Sequence, residues 1–377
     1  MPASTPLAAL LAERIRERGP LTFAEYMQAC LYHPEHGYYS RPEARRFADY
    51  YTSPDVHPVF GRLLARQIAE MWELLGRPAT FLAVEAGAGT ARLARHILDF
   101  AARQLPGFYA ALHYLAVEQS AARRACAEAR LEAHRQAGHA SVAAGLPKEI
   151  PAGCILSNEL LDALPVHRVI RQHGELREVY VALDGERFAD QVGPLSTPAL
   201  AEYFAAQQVA LREGQQAEAG LAACDWIEQA GRCLARGFVL TMDYGHRAVE
   251  LYDERHLRGT LLAYRRHRVS EDFYALPGEQ DLTAHVNFTA LDLWGRRAGL
   301  EPAGLVTQAA FLLALGRAND FADLYDEDQD ETERLRARLL LKTLLFPEGM
   351  GETFHVFIQS EGLKAPSLTG LRPLAPL

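Results

Sequence analysis

Residues 81–93, FLAVEAGAGTARL, constrain the fold more than any other stretch of this chain. Phe81, Leu82, Ala83 and Val84 form a short apolar run that ends in an acid, Glu85. Gly87-Ala88-Gly89 follows, and Thr90 opens a helical pattern. The stretch predicts a buried strand, a tight turn and a helix. Glycines let the backbone pass close to a ligand, and a helix N-terminus offers N–H groups with no partner inside the helix. A turn of this kind is where an open α/β sheet holds a nucleotide-like ligand.

The rest of the chain repeats the alternation. Residues 112–118 (LHYLAVE) predict a second strand, again closed by an acid, Glu118. A weak strand is expected near 141–143 and a fourth at 154–157, running into Asn158-Glu159. Residues 166–183 predict a hairpin turning at His173-Gly174, and residues 195–235 predict helix. Residues 238–243 (FVLTMD) predict a fifth strand, 305–308 a sixth and 353–359 a terminal one. Helices are expected at 4–18, at 22–32 with Thr22 as N-cap, after Thr52-Ser53-Pro54, at 290–298 and in two stretches over 309–345. Residues 247–287 show no regular period. The fold class is therefore α/β: a mostly parallel sheet with a late strand, with insertions after strands four and five. The expected divisions are an N-terminal extension (1–50), a first core half (51–165), an insertion (166–235), a second core half (236–360) and a tail (361–377).

Composition excludes several classes. A net charge of −9 and a pI near 5.9 argue against nucleic acid or anionic membrane as partner. No apolar run approaches the ~18 residues of a membrane span. The five cysteines are scattered with no CxxC pair, which fits a reducing compartment. Residues 1–20 lack a signal-peptide core, and Glu13 and Glu17 oppose a transit peptide, so a cytoplasmic protein is expected. No metal is expected: His33 and His36 have no third ligand at metal-binding spacing.

The glycine turn departs from the dinucleotide fingerprint G-x-G-x-x-G, because Arg92 stands at the third glycine position. This disfavours a nicotinamide-dependent enzyme. S-adenosylmethionine has no pyrophosphate. Its ribose hydroxyls want a carboxylate, which Glu118 can supply, and its ammonium wants another, which Glu85 can supply. Alone, E-x-G-x-G also fits another nucleotide or a purely structural turn; Glu118 and the strand count favour S-adenosylmethionine.

The acceptor side is expected at the carboxyl edge of the same sheet. Methyl transfer requires the nucleophile and the methyl to be held in line. A guanidinium acceptor is always charged and delocalised, and a carboxylate clamp such as Glu159, with Asp162, would bind its fork. Asp162 is equally readable as a cap. Asp243-Tyr244-Gly245-His246, after strand five, is expected to line the acceptor channel, with Tyr244 and His246 as the substrate candidates. Asp281 and His285 are read as one helical turn apart and a candidate acid/base pair, against the alternative of a helix cap and a core histidine.

Eight ordered motifs then carry a resemblance over nearly the whole chain: HPEHGYYS (33–40), DYYTSPDVHPVFG (49–61), VEAGAGTARL (84–93), SNELLDALPVHR (157–168), MDYGH (242–246), GTLLAYRRH (259–267), DLTAHVNF (281–288) and TQAAFLLALG (307–316). The chain resembles the MidA-like proteins, class I S-adenosylmethionine-dependent methyltransferases whose mitochondrial members are arginine methyltransferases acting in respiratory complex I assembly. The resemblance implies a Rossmann-like, seven-stranded sheet with a late reversed strand and a partly helical inserted subdomain. It implies a cofactor on Glu85, Gly87, Ala88 and Gly89, with Glu118, Gln119, Asn158 and Glu159 nearby and Thr52-Ser53-Pro54 covering its far side. Ser157-Asn158-Glu159-Leu160-Leu161 partly matches the S-E-L-L acid loop of protein arginine methyltransferases; Asn158 intervenes, and Asp162 is only a candidate for the second acid. The family's G-P-G-R-G turn reads Gly87-Ala88-Gly89-Thr90-Ala91 here. The expected function is methyl transfer to a protein arginine, with a protein substrate, no nucleic acid, no membrane, and a homodimer as one expected assembly. The alternative is an assembly factor that binds the cofactor without turnover.

Overall fold

The computed structural model describes residues 5–40, 58–266, 268–322 and 353–373, with 331, 332, 335, 339, 342, 344 and 345. The expected helix start at Thr52-Ser53-Pro54 lies outside them. The chain divides into two units. One comprises Tyr51–Leu160, Ile227–Tyr244 and Gly295–Leu377; the other comprises Met1–Tyr50, Leu161–Trp226 and Gly245–Trp294. The N-terminal extension, residues 166–226 of the first insertion and residues 247–287 thus share a unit.

The first unit is built on seven strands: β1 (Phe81–Ala86), β2 (Leu112–Val117), β3 (Ala140–Ala143), β4 (Gly153–Asn158), β5 (Gly237–His246, its last two residues counted with the other unit), β6 (Glu301–Thr307) and β7 (Phe354–Glu361). Their order is β3-β2-β1-β4-β5-β7-β6. The first five run parallel, and β7 is antiparallel to both β5 and β6. The late strand is reversed, as expected. Residues at 81–84 read as a continuous apolar run because a parallel sheet is covered on both faces; Phe81, Ala83 and Val84 are fully buried.

Register sets the site. Ala86 pairs with Val117 on one side and Ser157 on the other, and Ser157 pairs with Thr241. The strands therefore end level, and the residues that follow share one edge: Gly87, Glu118, Asn158-Glu159 and Asp243. Strand order reverses between β1 and β4, so the glycine turn opens at the topological switch point. Helix Val59–Leu74 buries Phe60, Leu63, Leu64, Ile68 and Met71 in the core. Its Gly61 permits a close approach to helix Arg92–Gln104, since a Cβ there would lie 2.5 Å from the His96 Cβ.

The second unit holds antiparallel sheet and helices. Glu175–Asp184 is flanked by His167–Gln172, Arg187–Gly193 and the short Leu21–Thr22. Helix Phe23–Tyr32 opens with the expected capping box: Thr22 Oγ1 accepts from the Glu25 N–H, and the Glu25 carboxylate accepts from the Thr22 N–H. Arg168, buried, donates to both oxygens of Asp190 at 2.6 and 3.0 Å, and its guanidinium lies over the rings of Phe23 and Phe273. A buried charge needs such pairing to be tolerated.

Three expectations are corrected here. The 195–235 stretch is not all helix: Gln216–Ala219 is a strand beside His167–Gln172. Residues 247–287 are not irregular, for Leu262–Arg265 pairs with Arg268–Ser270 and Asp281–Thr283. Residues 281–287 are extended rather than helical, so Asp281 and His285 are not one helical turn apart. Cross-strand pairing, which local period does not encode, decides all three.

Candidate active site

The turn after β1 runs through three left-handed residues: Gly87 at φ +72°, Gly89 at +55° and Ala91 at +58°. At Gly87 a Cβ would meet Leu160 Cδ1 at 2.9 Å, whereas at Gly89 it would enter open space. The Ala88 N–H donates to the Val117 carbonyl and the Ala91 N–H to the Ala88 carbonyl, at 2.9 and 2.8 Å. Arg130 donates to the carbonyl of Thr90 at 2.8 Å and to its Oγ1. Ala91 occupies the position where the motif of the resembling family has its last glycine, and it keeps a left-handed backbone there.

Two acids flank the turn. Glu85 points into the core, 5% exposed, and its Oε2 accepts from the Tyr114 hydroxyl at 2.9 Å. Burial pushes its carboxyl up to about 8, against the lowering effect of the Tyr114 bond. A cationic group nearby would favour its ionised form. Glu118 accepts from the Gly89 N–H at 3.1 Å and the Ser120 N–H at 2.8 Å, so both carboxylate oxygens are fixed at the sheet edge. Gln119 beside it is exposed, and its carbonyl accepts from Arg124.

The edge of β4 carries a further left-handed residue. Glu159 has φ +51°, a region costly for a residue with a side chain. Two bonds hold it: its N–H donates to the Met242 carbonyl at 2.9 Å, and the Leu160 N–H donates to Asp243 Oδ2 at 3.2 Å. Asp243 is fully buried, and its Oδ1 accepts from the Tyr244 N–H. It is a bracket that shapes the Glu159 turn rather than a channel wall, a role the sequence reading missed. Asn158 Nδ2 donates to Glu159 Oε1 at 3.0 Å. Asn158 Oδ1 and Ser157 Oγ are buried and have no hydrogen-bond partner among the described residues. The Tyr244 ring packs edge-on against Phe354.

In the other unit, the carbonyl of Asp162 accepts from the Ala284 N–H, and its side chain is buried. Asp281 is 2% exposed and accepts from the Tyr39 hydroxyl at 3.1 Å. His285 stands instead with His246 and His256, ring centroids 5.2 and 6.1 Å away. Burial, then those two rings, pushes its imidazole down to about 4. The helical spacing expected of Asp281 and His285 is not formed, and His285 stands in a histidine trio. His256 had no sequence signal, since nothing local links 246, 256 and 285.

S-adenosylmethionine fits the residues present. Open space at Gly89, a positioned Glu118 carboxylate and an orphaned Asn158 Oδ1 are what a ligand with ribose hydroxyls and an adenine amine can use. When bound, it supplies an electrophilic methyl on sulfonium.

A family described as S-adenosyl-L-methionine-dependent methyltransferase matches residues 63–306. A protein from Burkholderia thailandensis, solved bound to S-adenosyl-homocysteine, superposes with a TM-score of 0.85 at 32% identity, covering 97% of this chain and 94% of that one. The mitochondrial protein arginine methyltransferase NDUFAF7 of Rattus norvegicus is 29% identical, over 94% of this chain and 84% of its own length. Its Homo sapiens counterpart is 28% identical, over 94% of this chain and 83% of its own length. With the sheet order and glycine turn described above, these matches place the chain in the MidA-like family of class I S-adenosyl-L-methionine-dependent methyltransferases.

Proposed function

We propose that the methyl acceptor is an arginine guanidinium of a protein. The observation that carries this is Glu159: a carboxylate held at the carboxyl edge of the sheet by a strained turn that Met242 and Asp243 brace. A fixed carboxylate binds a guanidinium by two parallel N–H···O bonds and localises charge on one end of it, leaving the other nitrogen more nucleophilic. Asn158, bonded to the same carboxylate, sets its orientation. Glu118 and the Gly87–Gly89 backbone serve the cofactor, and Glu85 provides a buried acid beside it. The names of the mitochondrial relatives support the same acceptor. Incubation with labelled S-adenosylmethionine and cell lysate, followed by mass spectrometry of the labelled protein, tests the reading. Labelled arginine that disappears with Glu159→Gln, at unchanged cofactor affinity, is expected. Label on another residue type, or none with the wild-type chain, would overturn it; the latter is the behaviour of an assembly factor without turnover.

A further inference from the structure

His246, His256 and His285 come from three separate segments of the second unit: the end of β5, the turn Glu254–His256, and the loop between Asp281–Thr283 and Val286–Asn287. All three are half-buried, and one ring nitrogen of each lies within 4.8 Å of the others. We propose that they form a binding site for a divalent transition ion of the zinc class.

The ring spacing fits. A zinc–imidazole nitrogen bond of about 2.1 Å puts ring centroids about 5.2 Å apart at the tetrahedral angle. The centroids here are 5.2 Å (His246–His285), 5.4 Å (His246–His256) and 6.1 Å (His256–His285) apart. Ligation would also draw the ring nitrogens, which lie within 4.8 Å of one another, to about 3.4 Å by rotation of the rings.

One of the rings and all three backbones are anchored. His256 Nδ1 lies 3.0 Å from the Glu250 carbonyl, which accepts its proton and presents Nε2 as the donor atom. His246 is paired in the ladder with Asn287, whose amide donates to Gln207 and to the hydroxyls of Tyr203 and Tyr252. The His285 N–H donates to Thr260 Oγ1, and that hydroxyl donates to the buried Glu218. The backbones are therefore fixed before any ion arrives. A set of three imidazoles suits zinc, copper, iron or nickel and not calcium or magnesium, which take oxygen ligands. Three protein ligands leave a coordination position open. An ion here would cross-link three segments that the sequence places far apart.

The test uses the full-length, tag-free chain, stripped with a chelator and titrated with Zn²⁺ against a chromophoric competitor. One tight equivalent per chain is expected, with a rise in melting temperature. His256→Ala, at a half-buried turn position, should weaken that equivalent by at least ~100-fold, more than loss of an outer-sphere partner costs. His36→Ala, whose ring stacks on that of His33 away from the trio's sequence segments, should leave it unchanged. Co²⁺ should give the visible absorption of a tetrahedral site, lost in His285→Ala. Circular dichroism and S-adenosylhomocysteine binding verify that each variant folds. No tight equivalent in the wild type, or one that His256→Ala leaves intact, would overturn the proposal.

Discussion

The backbone N–H of Gly89 donates to Oε2 of Glu118 at 3.1 Å, joining the loop after β1 to the acid after β2. The turn that brings this N–H to the neighbouring strand end passes through Gly87 and Gly89, both at positive φ. It fixes one carboxylate oxygen, while the Ser120 N–H fixes the other. A carboxylate held this way needs no reorganisation to accept from a ribose.

Glu118→Ala is expected to weaken S-adenosylhomocysteine binding by about 10–100-fold, since hydrogen bonds to a charged group contribute roughly 1.5–3 kcal/mol. Calorimetric titration measures it. An unchanged affinity would remove Glu118 from the cofactor site.

Ala91 separates two costs. Its left-handed backbone costs an L-residue about 1–2 kcal/mol, which glycine would recover. Glycine loses about 0.5–1 kcal/mol of chain entropy and ~0.8 kcal/mol for the buried methyl. Ala91→Gly should therefore stay within about 1 kcal/mol of wild type. Ala91→Val combines a disfavoured φ with overpacking at a fully buried site, and a loss of about 2–4 kcal/mol is expected. Urea unfolding of both variants checks this; equal midpoints would mean that the positive φ is not imposed by the turn.

Glu85 gives a pH dependence with a definite sign. Its folded carboxyl sits near 8 and its unfolded one in the ordinary carboxylate range. Between these values the folded chain keeps a proton that the unfolded chain releases, so this group's contribution falls as pH rises, by up to ~1.4 kcal/mol per pH unit. Glu85→Gln removes that slope. The variant should gain stability relative to wild type between about pH 5 and pH 8. Denaturation of the ligand-free chain at both pH values tests it, and a constant difference would contradict the burial argument.

Much of the frame was legible in the chain. The apolar runs at 81–84, 154–156 and 238–242 mark strands covered on both faces, where no polar alternation is needed. Glu118 stood out because an acid closing a second strand reaches the same edge as the first. The Thr22–Glu25 capping box was readable because it closes within four residues. The extended course of 281–287 was misread: Asp281, Leu282 and Thr283 take their conformation from Leu262, Ala263 and Tyr264 across the ladder.

By itself the sequence determined the parallel sheet and the glycine turn, because strand burial, period and positive-φ glycine are local chemistry; the reversal of the last strand was implied only by the family resemblance. Tertiary structure alone decided three things: the strain at Glu159, the bracing by Asp243 from 83 positions beyond Leu160, and the meeting of His246, His256 and His285. Each depends on which strand ends and loops become neighbours after chain closure, and no spacing along the chain records that.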